Sequence, residues 1–258
     1  MLFHLVKLLH NLYLCLLRKG TNEKEPPNYP AILFWILKGV LVLAKRPVFE
    51  VALNEKIFVR REINFQWYGG FAVSQSRKNI DGLHKNYLVR YPDKKVLEIS
   101  SKSADELGVK LSAFNLMIQR GDRSFSVESA FQSSKVFEHG GPFVDLLNMP
   151  SIKAKKDPRL KTSGNIIGFN FAGKDYPQIP ITYFYNRLYI GALVENKNLT
   201  DELLAREFYA FTDIAFNPDK GRNCQAEAVA IFVSLSRQNL LEEALSNEES
   251  FLRIVYKK

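Results

Sequence analysis

The chain has 258 residues, 46% of them hydrophobic and 12% aromatic, enough for a packed core and incompatible with a disordered protein. Its formal net charge of +9 favours a polyanionic partner, nucleic acid or a pyrophosphate ligand, although such an excess also serves plain solubility. Two cysteines, Cys15 and Cys224, supply neither a disulfide framework nor a metal spacing, and the four histidines are scattered; the expected setting is a reducing cytoplasm, with no metal and no cofactor.

Residues 2–17 and 31–44 are apolar runs separated by a polar, charged stretch. Neither reaches the roughly 20 apolar residues that span a bilayer, so no stable membrane insertion is expected. Residues 1–44 read as an apolar extension: a membrane-surface hairpin, a loosely packed segment, or a stretch omitted by a later start of translation. From residue 45 to 258 the composition is that of a single α+β domain, strand-rich over 46–100 and helical over 101–258. Val48–Leu53, Ile57–Trp67, Phe71–Ser74 and Val96–Ser100 are β-branched and aromatic runs, with Asn54-Glu55 and Gly69-Gly70 as turns between the first three. They predict a small antiparallel sheet contributed largely by residues 46–100. The basic segment 75–95 holds a short helix over Asn79–Tyr87 and suits a phosphate backbone or, equally, a solvated connection.

Ser103-Ala-Asp-Glu106 fits a capping box opening a short helix that stops near Gly108. Ala113–Ile118 reads as extended, Gln119–Arg123 as a turn, and Ser126 as the N-cap of a further helix that the Gly140-Gly141-Pro142 region ends. A second basic patch spans 153–161, and further helices are predicted over Thr182–Glu195, Leu199–Phe208 and Cys224–Asn239, the last capped by Asn223.

Two places carry candidate chemistry. Read as one helix, Ser126–Phe137 puts Glu128, Gln132 and Lys135 at i, i+4 and i+7 on one face, with Phe131 beside them. A carboxylate, an amide and an amine in line suit a polar ligand and acid/base work; a solvated face with an ordinary Glu/Lys pair is the competing reading. Lys220-Gly221-Arg222 lies directly before a helix N-terminus, whose free amides suit a phosphate, and the same residues also make a simple turn. No Walker loop, GxGxxG, HExxH or GxSxG is present.

Ser112-Ala-Phe114 ahead of Ser126-Val-Glu128-Ser-Ala-Phe131-Gln132-Ser-Ser-Lys135, followed by Asp213, Phe216, Gly221 and Asn223, resembles the NADAR (YbiA-like) superfamily. Ala113 stands where an Asn is usual, and Tyr176 matches a tryptophan of some members. Arg46-Pro-Val-Phe49, Gly70–Gln75, Leu97–Ser103, Phe211-Thr-Asp213 and Asn223-Cys-Gln-Ala226 are similar to one branch, the NADAR antitoxins that accompany DarT-type DNA ADP-ribosyltransferase toxins. The resemblance implies a mainly helical α+β NADAR domain and a hydrolase that removes ADP-ribose from guanine bases in DNA. Its partners would be ADP-ribosylated DNA, ADP-ribose and the cognate toxin. It implies Lys135, Glu128 and Asp213 as catalytic, and Gln132, Ser112, Phe114, Phe131, Tyr176, Phe216, Lys220, Gly221, Arg222 and Asn223 as substrate-binding. Lys135 would either form a Schiff base with the sugar or merely bind a phosphate or ribose hydroxyl while carboxylates stabilise an oxocarbenium-like centre. The alternatives are an N-glycosidase acting on a riboflavin-pathway-like metabolite, and a non-catalytic module that binds ADP-ribose or sequesters the toxin.

Overall fold

Strand β1 (Leu43–Val51) is the centre of the computed structural model, which describes residues 42–53 and 56–257. β1 pairs antiparallel with β2 (Phe58–Gln66), Val48 opposite Arg61, and its last five residues are all buried. Because side chains alternate across a strand, Val48 and Phe49 enter different cores. Val48 joins Ile63 and Phe65 of β2 and packs under helix α1 (Val73–Leu88), which contributes Ile80, Leu83 and Tyr87. Phe49 faces the larger core.

The third and fourth strands of the sheet come from distant parts of the chain. β3 (Val96–Glu98) runs parallel to β9 (Ala210–Thr212), which is antiparallel to β1, giving the order β2-β1-β9-β3. The sheet is therefore mixed, and its third neighbour lies outside the 46–100 stretch that was expected to supply it. The predicted strand Phe71–Ser74 is instead the turn and first residues of α1. Ile80, Leu83 and Tyr87 recur at helical spacing, and the helix they anchor runs back to Val73, overriding the local β propensity.

Helix α2 (Glu106–Lys110) is capped by Asp105, whose carboxylate accepts from the Leu107 amide; Ser103 Oγ accepts from the Asp105 amide one step earlier, so the expected capping box is not formed. The helix continues through Gly108 because only a residue without Cβ fits there: a methyl would run into the Glu98 carbonyl of β3. The predicted extended segment begins instead as a turn over 111–115, followed by the hairpin β4 (Met117–Arg120) and β5 (Arg123–Ser126). Next come α3 (Val127–Ser133), β6 (Lys135–Phe137), a 3-10 turn at Val144–Asn148, α4 (Ser151–Lys155) and α5 (Arg159–Thr162). β7 (Ile166–Phe171) and β8 (Lys174–Tyr176) complete a three-stranded antiparallel sheet with β6.

The larger core is built on two helices, α6 (Tyr183–Glu195) and α8 (Gln225–Arg237), with α7 (Lys197–Ala205) between them in sequence. Every residue of α8 from Gln225 to Leu235 is buried: Ala228–Val233 are apolar on all sides, and Gln225, Glu227 and Ser234 are hydrogen-bonded. α9 (Leu241–Ser246) and α10 (Glu248–Tyr256) close the chain. Among the described residues no helix is long and apolar enough to cross a membrane. The expectations for residues 1–41 and for the Asn54-Glu55 turn lie outside the described residues.

Candidate active site

Helix α3 is short because its own serines end it. Ser126 caps the start, its Oγ accepting from the Ser129 amide at 3.0 Å, while the Ser133 and Ser134 hydroxyls both donate back to the Ala130 carbonyl at 2.9 and 2.6 Å. Lys135 is therefore not on a third helical turn, as predicted, but opens β6, opposite Phe169 of β7. The three groups still meet. Lys135 Nζ donates to Gln132 Oε1 at 2.7 Å, and Gln132 Nε2 donates to Glu128 Oε1 at 2.9 Å. Lys155 Nζ, at the end of α4, lies 3.4 Å from the same Glu128 oxygen. The Lys135 amine sits 4.7 Å from the Phe131 ring centre, and burial lowers its pKa to about 8. The Glu128 charge opposes that shift and the Lys155 charge adds to it.

Asp213 follows directly on β9. It is buried, and burial together with the neighbouring Glu98 carboxylate raises its pKa to about 7, against hydrogen bonds from the Gln225 side chain and the Ala215 amide and the charge of Lys155. Glu98, at the end of β3, is fully enclosed. It accepts from Thr212 Oγ1 at 2.5 Å and from the Ile214 amide at 2.8 Å. Burial pushes Glu98 upward as well, opposed by those two donors and the Ser100 hydroxyl. Behind it, His84 Nε2 of α1 lies 2.8 Å from Thr212 Oγ1, and burial lowers that histidine to about 4.

One turn ties the two halves together. The Ala113 amide donates to Gln225 Oε1 at 2.7 Å, and the Ala113 carbonyl accepts from the Glu128 amide at 2.8 Å. Gln225 in turn hydrogen-bonds Asp213. A single backbone residue thus sets Glu128 directly and Asp213 through one amide side chain. Two adjoining cavities result. The first, about 330 Å³, is lined by Glu128, Gln132 and Phe131 on one side and by Asp213, Phe216 and Gln225 on the other. The second, about 420 Å³, is lined by Lys135, Phe169, Ile181 and Arg222. Phe131, Lys155, Lys220, Gly221 and Asn223 line both. Their volumes lie in the range of small-molecule sites.

A family model, that of DarT1-associated NADAR antitoxins, matches residues 44–258. The chain belongs to this family. No curated protein matches the sequence. The antitoxins of this family are DarT1-associated, and the mixed helical and stranded fold of this one agrees with the NADAR domain expected for it.

Of the residues singled out in the sequence of this antitoxin, Phe114, Phe131, Phe216, Lys220, Gly221, Arg222 and Asn223 line one or both cavities, together with Gln132, Glu128, Asp213 and Lys135. Ser112 and Tyr176 do not. Ser112 is fully buried, its hydroxyl accepting from Asn115 Nδ2, and it shapes the turn that presents Ala113 and Phe114. Tyr176 packs 4.9 Å from Phe184 in a separate hollow with Arg120 and Arg187. Asn223 does not cap α8; Cys224 occupies the N-cap position, and Asn223 Oδ1 is buried without a partner among the described residues. Sequence reasoning missed Lys155, Gln225, Glu98 and Tyr185. Lys155 stood in a recognised basic patch, but nothing in its spacing tied it to Glu128. Glu98, Gln225 and Tyr185, the last lining the first cavity from α6, reach the site only through tertiary packing. Among the described residues no cluster of three or more His, Cys, Asp or Glu side chains could hold a metal ion.

Proposed function

We propose that this antitoxin is a hydrolase that removes ADP-ribose from guanine bases in DNA, reversing the modification made by its toxin. The observation that carries the reading is the pairing of a lysine whose pKa is lowered to about 8 with a buried carboxyl raised to about 7 across adjoining cavities. A glycosylamine linking C1″ of the ribose to the exocyclic guanine amine opens to an imine. The neutral Lys135 amine adds to C1″, and the guanine amine departs with a proton from Asp213. That leaves an imine between Lys135 and C1″. Water, deprotonated by Glu128, then adds to C1″, Lys135 leaves as the free amine, and the released ADP-ribose recloses its ring.

The surroundings support these roles. Gln132 accepts from the lysine and donates to Glu128, which holds the base beside the nucleophile. The unpartnered Asn223 Oδ1 is an acceptor suited to a ribose hydroxyl. Lys220 and Lys155 on the shared wall and Arg222 in the second cavity supply positive charge for a pyrophosphate, and Phe114 and Phe216 offer aromatic surface for a base.

The test is ADP-ribose release from an oligonucleotide ADP-ribosylated on guanine. Release by the parent, loss in Lys135→Ala, and a borohydride-trapped adduct on Lys135 are expected. Release without any trapped adduct would replace the lysine bond by direct attack of water on an oxocarbenium-like centre. No release from a folded parent would overturn the hydrolase reading, leaving a small-molecule glycosidase or a binding role.

A further inference from the structure

The geometry points to a second functional surface: the turn Trp67–Phe71 and the exposed face of α1 bind single-stranded DNA beside the active site. Its role, holding nucleotides that flank the modified guanine, rests on the hydrolase reading above.

The turn carries aromatic side chains that fold stability does not explain. Phe71 is fully exposed at its tip, and Tyr68 and Val73 are exposed on either side. A solvent-facing phenylalanine at a loop tip packs against nothing, yet it presents a flat π-face of the kind on which unpaired bases stack. The turn is also held in place rather than loose. Buried Asn79 of α1 accepts from the Tyr68 amide at 2.7 Å and donates to the Tyr68 carbonyl at 2.9 Å, pinning the backbone in both directions. The Tyr68 end of the platform is thus pre-organised, which lowers the ordering cost of binding there.

Charge on this face selects the partner. Lys78 Nζ stands 5.9 Å from the Tyr68 ring centre. Lys78 and Lys85 line a groove with Tyr68, Gln66 and Asn86, opposed by Asp81. Arg77 is exposed beside them. Aromatic faces interleaved with cations track a single strand: the cations take the phosphates and the rings take the bases. A paired duplex offers no free base face to Phe71, and an apolar protein partner would not call for the lysines.

Position ties the surface to the site. The Arg46 guanidinium lies 5.1 Å from the Trp67 ring and feels the charge of Asp219, which belongs to the loop whose Asn217, Lys220 and Gly221 line the first cavity. Phe71 is four residues beyond Trp67, an extended reach of at most about 14 Å.

The experiment measures fluorescence anisotropy of an unmodified single-stranded oligonucleotide with the full chain, Phe71→Ala and Lys78→Glu, and follows ADP-ribose release from the modified oligonucleotide by the same proteins. Phe71→Ala should weaken binding by about five- to hundredfold without altering release from ADP-ribosylated guanosine as a free nucleoside. Lys78→Glu should weaken binding and flatten its salt dependence. Unchanged binding in Phe71→Ala would overturn the surface. Binding that depends on Phe71 without any ADP-ribose release would leave the surface standing and sink the hydrolase reading instead.

Discussion

At the level of single residues, the proposed mechanism works through two groups moved toward neutrality from opposite ends. The acid, near 7, titrates below the amine, near 8, so the form with Asp213 protonated and Lys135 neutral is always a minor species. The expected kcat/KM profile rises with pH to about 7, is flat to about 8, and falls beyond. Glu98→Gln removes the negative charge that holds Asp213 up. The acidic midpoint should move to lower pH and the plateau should fall, whereas a purely structural effect of Glu98 would lower the plateau at an unchanged midpoint. Asp213 also bears on stability. Its folded pKa lies above the ordinary 3.8, so the fold disfavours the ionised form, with the full penalty above about 7 and none below the ordinary carboxylate range. Asp213→Asn should therefore melt higher than the parent at pH 8, with the difference closing as pH falls toward 4, while abolishing release. How far these residues were legible in the sequence follows the same division. Glu128 and Gln132 lie four apart in a real helix, so their contact was readable from spacing. The depressed lysine and raised acid were not, because burial and the Glu98 neighbour are products of the fold.

At the level of elements, the break between α3 and β6 matters most. Continued as a helix, the segment would carry Lys135 on a third turn; ended by Ser133 and Ser134, it turns the lysine onto a strand and into a second cavity. Sequence patterning favoured the longer helix because nothing local distinguishes a serine that hydrogen-bonds backward from one that faces water. Gly141 guards this geometry. It has φ +84°, and a methyl there would run into the Lys135 carbonyl. Gly141→Ala is expected to cost about 1–3 kcal/mol in chemical denaturation and to lower kcat by up to about a hundredfold, since small displacements of a reacting group are that costly. Ser126→Ala should cost about 1 kcal/mol by losing the cap. It also cuts the link to Ser151 Oγ, 2.7 Å away, which fastens the helix of Lys155 to that of Glu128.

At the scale of the molecule, the net charge of +9 becomes meaningful only once located. The cations of segment 153–161 reach the cavity through Lys155, and those of α1 line the groove beside Tyr68. KM for the modified oligonucleotide should rise steeply between low and physiological salt while KM for the modified nucleoside hardly changes; equal salt dependence would show that neither basic surface meets the DNA. That helices and strands would mix could be read from composition and periodicity, but not their division: among the described residues the longest helix, α1, falls inside the stretch expected to be stranded, and six of the nine strands fall after residue 100. The mixed sheet could not be read either, since β9 is three residues long and is recruited from position 210 by pairing alone.

That recruited strand has a consequence for the life of the chain. β9 sits between β1 and β3, so until residues 210–212 arrive those two strands have no common neighbour, and until Gln225 follows, Asp213 lacks the side chain that fixes it. A nascent chain that already displays Glu128 and Lys135 has no acid opposite them. The same holds for a chain clipped after β8. During synthesis and during proteolytic turnover alike, the proposed chemistry thus depends on whether residues 210–225 are in place.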